Sequence, residues 1–510
     1  MTTPSPDAPF RLLADLVRAH ARRRPAAAAL RDESQSLSYA ELDALMDRVA
    51  AALQQGGVRP GEAIAICALN SVRYAALFLG ALRAGVVVAP LAPSATPEAL
   101  AAMLRDAGAR LLFIDQAAQA LAPQGLPCVS LDGLAPGPAF DDWLAPAGAP
   151  PEPVALTPEA AFNIIYSSGT TGTPKGIVQS HGMRWAHIRR GAQYGYGPQG
   201  TTLLATPLYS NTTLVVFVPT IGYGGCVVLM QKFDAARYLA LAEQHRVTHT
   251  MLVPVQYQRI MALPNFGEFD LSSFHIKFCT SAPFRAELKA DVLARWPGGL
   301  TEFYGMTEGG GTCILDAHLH PTKLHTVGRP AAGHDIRLID EDGREVARGE
   351  AGEVVGHSAG MMTGYHGQPE KTREAEWFDP RGKRFIRTGD VGRFDAEGFL
   401  TLIDRRKDMI ISGGFNIYPS DIEAQVRAHP AVDDVAVVGV PSEQWGETPV
   451  AFVVPNAGQA VDAPTLMNWY NQRAGKTQRL ADLRFVDALP RSAIGKVLKR
   501  ELREHYLRAG

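Results

Sequence analysis

Cysteine is scarce in this 510-residue chain: Cys67, Cys128, Cys226, Cys279 and Cys313, an odd number with no C-x-x-C spacing. That excludes a disulfide framework and a zinc site, and predicts buried free thiols in a reducing cytoplasm. Charge of one sign is missing as well. Fifty basic residues stand against fifty-two acidic ones, a formal charge of −2, so no basic footprint calls for nucleic acid or an anionic membrane as partner. Long hydrophobic runs are also absent. The most membrane-like stretch, 74–92, is broken by Arg83 and Gly85 and reads as a helix followed by a buried strand. Residues 1–7 lack the basic segment and apolar core of a secretory signal. A soluble, cytoplasmic protein without a membrane span is expected. Apolar residues make up 46% and charged ones 20%, an ordinary globular balance. The length is too great for a single core.

Short apolar runs at 63–68, 86–89, 111–114, 162–166, 202–205, 226–230, 249–253 and 276–279 read as strands. Amphipathic segments at 71–84, 97–107, 235–245 and 285–296 read as helices between them. That alternation predicts an α/β fold with parallel sheets and crossover helices. The Pro/Gly/Ala-rich stretch 134–158 reads as a loop. After about residue 330 the texture shifts to short strands and turns, at 335–339, 340–343, 352–355 and 395–398, where Asp-Gly and Glu-Gly pairs suggest hairpins. The charged run 404–408 interrupts the apolar pattern. Beyond it, Ser420-Asp421-Ile422-Glu423 has the spacing of a capping box for a helix to about His429. Strands at 435–440 and 450–454 complete a small α+β domain. No internal repeat is visible. The boundaries expected are 1–404 for a large N-terminal domain and 405–510 for a small C-terminal one.

One segment carries more chemistry than any other: Ser167-Ser168-Gly169-Thr170-Thr171-Gly172-Thr173-Pro174-Lys175-Gly176, directly after the apolar run 162–166. Glycines let backbone approach an anion, hydroxyls and N–H groups donate to phosphate oxygens, and a lysine neutralises charge. The spacing is not G-x-x-x-x-G-K-[ST], so a Walker A loop is excluded. Four further motifs follow in order: Tyr304-Gly305-Met306-Thr307-Glu308, Thr388-Gly389-Asp390, Asp404-Arg405-Arg406-Lys407 running to Ser412-Gly413-Gly414-Phe415-Asn416, and Gly495-Lys496. Each is weak alone; their order and separation are not.

Together these motifs resemble the adenylate-forming superfamily, over essentially the whole chain from Ser38-Tyr39-Ala40-Glu41-Leu42 to Lys496. Gly413-Gly414-Phe415-Asn416-Ile417-Tyr418-Pro419 resembles its acyl- and aryl-CoA ligase branch, which includes coumarate ligases. The resemblance implies a large N-terminal domain of two α/β subdomains and a β-rich one, with a small mobile α+β C-terminal domain. It also implies two steps: a carboxylate attacks the α-phosphorus of ATP, releasing pyrophosphate, and the thiol of coenzyme A then displaces AMP. Since two anions must meet, charge neutralisation and alignment carry the first step.

By that resemblance, Ser167, Ser168, Gly169, Thr170, Thr171, Gly172 and Lys175 hold the β- and γ-phosphates. Thr307 donates to the α-phosphate and Glu308 ligates Mg²⁺, a hard cation suited to carboxylate and phosphate oxygens. Tyr304, beside Gly305, stacks on adenine, with the Ser281-Ala282-Pro283 turn at the other edge. Asp390 accepts the ribose hydroxyls, a fit for an ionised acceptor facing a diol, and Arg405 adds a second contact. Lys496 is the catalytic lysine that meets the charge building at the α-phosphorus. Lys407 is the implied hinge. After rotation Gly413 and Gly414 pass the pantetheine arm; Trp445 is either a tunnel element or a core residue of the small domain.

Pro207-Leu208-Tyr209-Ser210-Asn211 departs from the family pattern, with Ser210 where many relatives carry histidine. The acyl pocket is expected from Tyr209, Thr213, the turn Gly222-Tyr223-Gly224, Ala282 and the small residues Gly309, Gly310, Gly311 and Thr312. None of these segments carries an evident cation, and a buried second carboxylate would go unpaired. An apolar monocarboxylate, fatty or arylalkanoic, is therefore the expected acid. The alternatives are an enzyme that loads a carrier-protein pantetheine, an adenylate-binding protein without turnover, and, remotely, a luciferase-like oxidoreductase. A homodimer is admitted as the assembly.

Overall fold

The structure is a computed structural model that describes residues 8–167, 175–405, 408–412, 415–443, 445–456, 458–459, 461–475, 478–492 and 495–509. The chain divides into two compact units. One runs to Leu324 and adds Pro330–Asp335 and His357–Ile386; the other comprises His325–Arg329, Ile336–Gly356 and Arg387–Gly510. The second unit thus counts β-rich segments before residue 404 with the tail. The boundary expected at 404/405 concerns motion between reaction steps, which compactness of packing does not report.

The first unit is built on two sheets, and the predicted alternation explains both. In a nine-stranded sheet, Gly299–Gly305, Ile276–Cys279, His249–Leu252, Thr201–Leu204, Cys226–Leu229 and Ala28–Arg31 run parallel in that spatial order. In a seven-stranded sheet, Ala161–Ser167 and Val87–Leu91 lie parallel, and Val87–Leu91 lies parallel to Ala63–Cys67, while Lys175–Ser180 returns antiparallel beside Ala161–Ser167. Strands such as Ala63–Cys67 and Val87–Leu91 are buried along their whole length, as parallel strands covered on both faces must be. Phe78 packs against both Phe162 and Phe217, so one core joins the two sheets through the Val72–Arg83 helix. The stretch 74–92 is that helix followed by Val87–Leu91, and no helix among the described residues is long and apolar enough to cross a membrane.

Several helices were not legible as periodic runs. Tyr39–Gln55 starts at Ser38, whose side chain accepts from the Glu41 N–H while Glu41 accepts from the Ser38 N–H at 2.8 Å, a capping box. The capping box expected at Ser420–Glu423 does not form. The Pro419–Arg427 helix begins at Tyr418 without a side-chain cap. Ser420 instead donates its N–H to Asp404 Oδ2 at 2.9 Å and its hydroxyl to the Ile403 carbonyl. Glu423 is taken by the Val437 N–H at 2.8 Å and by Lys499 Nζ at 2.8 Å, so tertiary partners outcompete the local one. The loop 134–158 contains the short helix Phe140–Trp143. All five cysteines are free, with Cys67, Cys279 and Cys313 buried and Cys128 and Cys226 half-buried. In the second unit, Val432–Ser442 and Gly446–Pro455 form a long antiparallel pair with Asp482–Phe485 parallel to the latter.

Candidate active site

Ligand sites in open parallel sheets gather beyond the carboxyl ends of the strands, where side chains from several loops meet. The residues expected to act on nucleotide and acid sit at such ends in the first unit. Ser167 ends Ala161–Ser167; Ser281-Ala282-Pro283 follows Ile276–Cys279; Tyr304 and Gly305 close Gly299–Gly305; Tyr209 follows Thr201–Leu204. Ser168, Gly169, Thr170, Thr171 and Gly172 lie outside the described residues. Lys175 opens the return strand Lys175–Ser180, opposite Ser167 in register.

Direct bonds join several of these ends. Ser281 holds a left-handed backbone, φ 83°, uncommon for a residue with a side chain, and its hydroxyl pairs with Thr212 Oγ1 at 2.6 Å. Thr280 Oγ1 donates to the Phe303 carbonyl at 2.7 Å, tying that turn to the strand that ends at Tyr304 and Gly305. Ser210 caps the Asn211–Gly222 helix, its hydroxyl accepting from the Thr212 N–H. Serine at this position therefore has a local structural use.

A buried polar network beneath the Thr307 backbone escaped sequence reasoning. Gln179, fully buried, donates to the Thr307 carbonyl at 2.8 Å and to Asn211 Oδ1 at 3.2 Å. Its own carbonyl accepts from Asn163 at 3.0 Å and from Arg184. Arg184, 1% exposed, also donates to Asn163 Oδ1 at 2.9 Å and Asn211 Oδ1 at 2.9 Å. Its partners are neutral amides and the His187 ring, 3.4 Å away, and burial lowers its pKa to about 9. The signal available was an asparagine and a glutamine inside two buried strands, at Asn163 and Gln179.

Glu308 is held from the side. Tyr365 donates its hydroxyl to Glu308 Oε1 at 2.9 Å, and Lys175 Nζ lies 5.0 Å from the centre of the same tyrosine ring. Burial, then the Glu308 charge, keeps that phenol protonated. The Glu308 carbonyl accepts from the Met362 N–H at 2.7 Å. Gly309 has φ 73°, and a Cβ there would lie 2.0 Å from the Gly360 carbonyl oxygen. Glycine at 309 is thus a backbone requirement, not only an absence of bulk. No group of three or more metal-ligating side chains exists among the described residues. A Mg²⁺ site built from one carboxylate plus phosphate oxygens fits this setting, since Mg²⁺ seldom uses an all-protein cage.

The acyl-pocket residues are only partly free to line space. Thr213 is fully buried, and its hydroxyl donates to the Pro207 carbonyl at 2.6 Å and pairs with Thr206 Oγ1 at 2.8 Å. A Cβ on Gly222 would meet Ile188 at 3.2 Å, and one on Gly224 would meet His20 Nδ1 at 2.8 Å. Both glycines therefore make room for neighbouring side chains. Gly310 is buried, and Tyr209 is half-buried.

In the second unit, Asp390 lies on Arg384–Phe394 opposite Arg405 in register. Its N–H is bound by Thr388 Oγ1 at 3.0 Å, and that hydroxyl donates to the Val354 carbonyl at 2.8 Å. Lys407, Gly413 and Gly414 lie outside the described residues. Ser412, just before the two glycines, pairs with Gly446, and Trp445 is half-buried with its N–H on Ser442 Oγ at 3.3 Å. Lys496 is exposed on a turn in which Ser492 N–H binds the Lys496 carbonyl at 2.8 Å. Arg491 locks that turn, donating to the Gly495 carbonyl at 2.7 Å and to Asp434.

The sequence matches the family described as AMP-binding enzyme over residues 17–366, and its C-terminal domain over 421–496. A feruloyl-CoA synthase from Amycolatopsis is 35% identical over 495 residues, 95% of this chain and 97% of that protein. A fatty acid–[acyl-carrier-protein] ligase, ScoC of Streptomyces coeruleorubidus, is 30% identical over 96% of this chain and 95% of that protein. Among solved structures, ATP-bound MatB from Rhodopseudomonas palustris superposes with a TM-score of 0.87 at 30% identity, covering 97% of this chain and 99% of that one. With both parts of the family matched in order and its strand-end residues assembled as described, the chain belongs to the AMP-binding enzymes, among relatives that are acid–thiol ligases.

Proposed function

We propose that the protein is an ATP-dependent acid–thiol ligase: it activates a carboxylic acid with a largely apolar body, fatty or arylalkanoic, as the acyl-adenylate and transfers the acyl group to coenzyme A. The observation that carries this reading is the pinned Tyr304–Gly309 segment. Gln179 fixes the Thr307 carbonyl and Tyr365 fixes Glu308, while the Thr307 hydroxyl has no bond to any described residue. Donor and carboxylate are thereby preorganised, which spares reorganisation when charge develops.

In the first step an acid carboxylate oxygen attacks the α-phosphorus and the pyrophosphate oxygen leaves. Thr307 donates to an α-phosphate oxygen, Lys496 neutralises the charge gained there, and Lys175 with the 167–172 loop holds the departing phosphates. Glu308 would hold Mg²⁺, which when bound neutralises phosphate oxygens. Tyr304 and the Ser281-Ala282-Pro283 turn take the adenine; Asp390 and Arg405 take the ribose. In the second step the thiol attacks the acyl carbon, its proton leaves to solvent, and AMP departs. Residues 405–510 would turn about Lys407 between the steps, removing Lys496 and bringing Gly413, Gly414 and Trp445 to the thiol path. A cytoplasmic setting, where ATP and coenzyme A are supplied, fits this chemistry.

The ScoC relative favours a second reading, in which the thiol belongs to a carrier protein's pantetheine. Isotope exchange between pyrophosphate and ATP that depends on added acid tests the first step: exchange is expected, and its absence across a broad acid panel would refute the reading. Thioester formed with free coenzyme A then separates the two acceptors.

A further inference from the structure

A small cavity lies beside the Asn211–Gly222 helix, one turn along it from the Thr212–Ser281 contact. It is lined by Val215 and Val216 of the Asn211–Gly222 helix, by Phe278 and Phe303, and by His187, Arg190, Tyr194 and Tyr196. Because Val215 and Val216 follow Thr212 by three and four residues, the cavity lies about 5 Å further along that helix. The same helix carries Thr213, one of the residues expected to build the acid pocket. The His181–Gly191 helix, which supplies His187 and Arg190, was not among the segments expected as pocket wall from the sequence.

Its lining is unusual for an apolar floor. Arg190 is half-buried and lines this cavity. It makes no hydrogen bond or ion pair with any described residue, and its guanidinium lies 5.2 Å from the centre of the Phe303 ring. The phenol oxygens of Tyr194 and Tyr196 are buried without a geometrically formed hydrogen bond among the described residues, with the Gln193 side chain beside Tyr194. Tyr196 is 8% exposed and stacks on His249 at 4.2 Å.

The charges acting on this corner give it a sign. Burial, the largest cause, lowers the pKa of Arg190, and the groups acting against that are the two phenols rather than a carboxylate. The charges on His187 come from Arg190, Arg184 and His334, and with burial they hold it neutral. Asp316, the carboxylate that acts on Tyr194, is already bound by Thr301 Oγ1 at 2.6 Å. A half-buried guanidinium and two buried phenols without protein acceptors are costly to keep unless something supplies the acceptor. Arg184, on the same helix, has three amide acceptors, so burial on that helix does not by itself leave a guanidinium unmatched.

We infer that the acid carries an oxygen acceptor at the end opposite the activated carboxylate, and that Arg190, with Tyr194 and Tyr196, receives it. This rests on the ligase reading and narrows its substrate to acids with an apolar body and a polar tip. A ring hydroxyl or methoxy oxygen and a second carboxylate share that chemistry.

The test uses three acids built on one skeleton: 3-phenylpropionate and its para-hydroxy and para-carboxy analogues. Acid-dependent pyrophosphate release is followed for the wild-type chain, Arg190→Met and Tyr196→Phe. Acid binding is followed in parallel by calorimetry without ATP. A site built to bond a substrate oxygen rejects the analogue lacking it strongly. The wild type is therefore expected to prefer one polar-tipped acid about 10²-fold in kcat/KM, with Arg190→Met erasing that preference and Tyr196→Phe reducing it. Which analogue wins separates a neutral oxygen from an anion. Preference for phenylpropionate, or equal loss with all three acids in both variants, overturns the inference. If no acid supports pyrophosphate release, the ligase reading fails, and the calorimetric ranking still decides the pocket. Should Arg190→Met not fold, the preference measured in Tyr196→Phe decides alone.

Discussion

Two parts of the molecule present functional residues in opposite ways. Around Thr307 the side chains are few and the support is deep: Gln179, Asn163, Arg184 and Asn211 are knit beneath a backbone whose carbonyl they bind. Around Lys496 the turn is fixed by backbone bonds and by Arg491 on Asp434, while the lysine itself is exposed. The first arrangement suits groups that must be in position before charge develops; the second suits a group that must arrive and leave. Preorganisation needs buried, satisfied polar groups, whereas a side chain that serves only one of two steps gains from solvation between them.

The sharpest way to break this contrast is Lys496→Ala. Adenylation is expected to fall about 10³-fold or more, the order lost when one transition-state charge donor is removed. Thioester formation from supplied acyl-adenylate should survive, and the melting temperature should hold, because the side chain is solvated. Single-turnover measurement of the two half-reactions checks it; equal loss in both would remove the distinction.

Arg184→Met attacks the opposite region. It strips donors from Asn163, Gln179 and Asn211, leaving buried amide oxygens short of partners, at a cost of about 3 kcal/mol. Urea unfolding should show that loss, with adenylation lowered through the displaced Thr307 backbone. An unchanged denaturation midpoint would mean the network is idle.

A gentler probe is acid. Burial lowers the pKa of His181 and of His249 to about 4 each. Both are neutral in the folded chain, so between about pH 6.5 and 4 the unfolded chain takes up protons that the folded one refuses. Stability is then fully kept above about pH 6.5 and lost as pH falls through that window, by at most about 3 kcal/mol for each imidazole. Thermal melts from about pH 7 to 4 should fall, and His249→Gln should flatten the fall. A melt independent of pH over that range would contradict the burial of both rings.

Some of this was written locally. The strand at Ile276–Cys279 and the helix Pro97–Ala107 match their sequence patterns to the residue, because each is set by periodicity and, in the helix, by the cap at Thr96. Glu308 and Lys496 stood out because their motifs are contiguous. Tyr365 did not, since its partner Glu308 lies 57 positions away. Gly222 and Gly224 show the same limit: a small residue is visible in the sequence, but not the side chain that uses the space, here Ile188 and His20.

By itself, then, the chain's order of motifs determined its family and the alternation of its elements, since turns, caps and periodicity act over a few neighbouring residues. Only the tertiary structure decided which of the three arginines on the His181–Gly191 helix are matched. Arg184 meets amides from residues 163, 179 and 211, and Arg190 meets none among the described residues. Whether a buried charge is satisfied depends on acceptors brought from other segments, and no local pattern encodes their arrival.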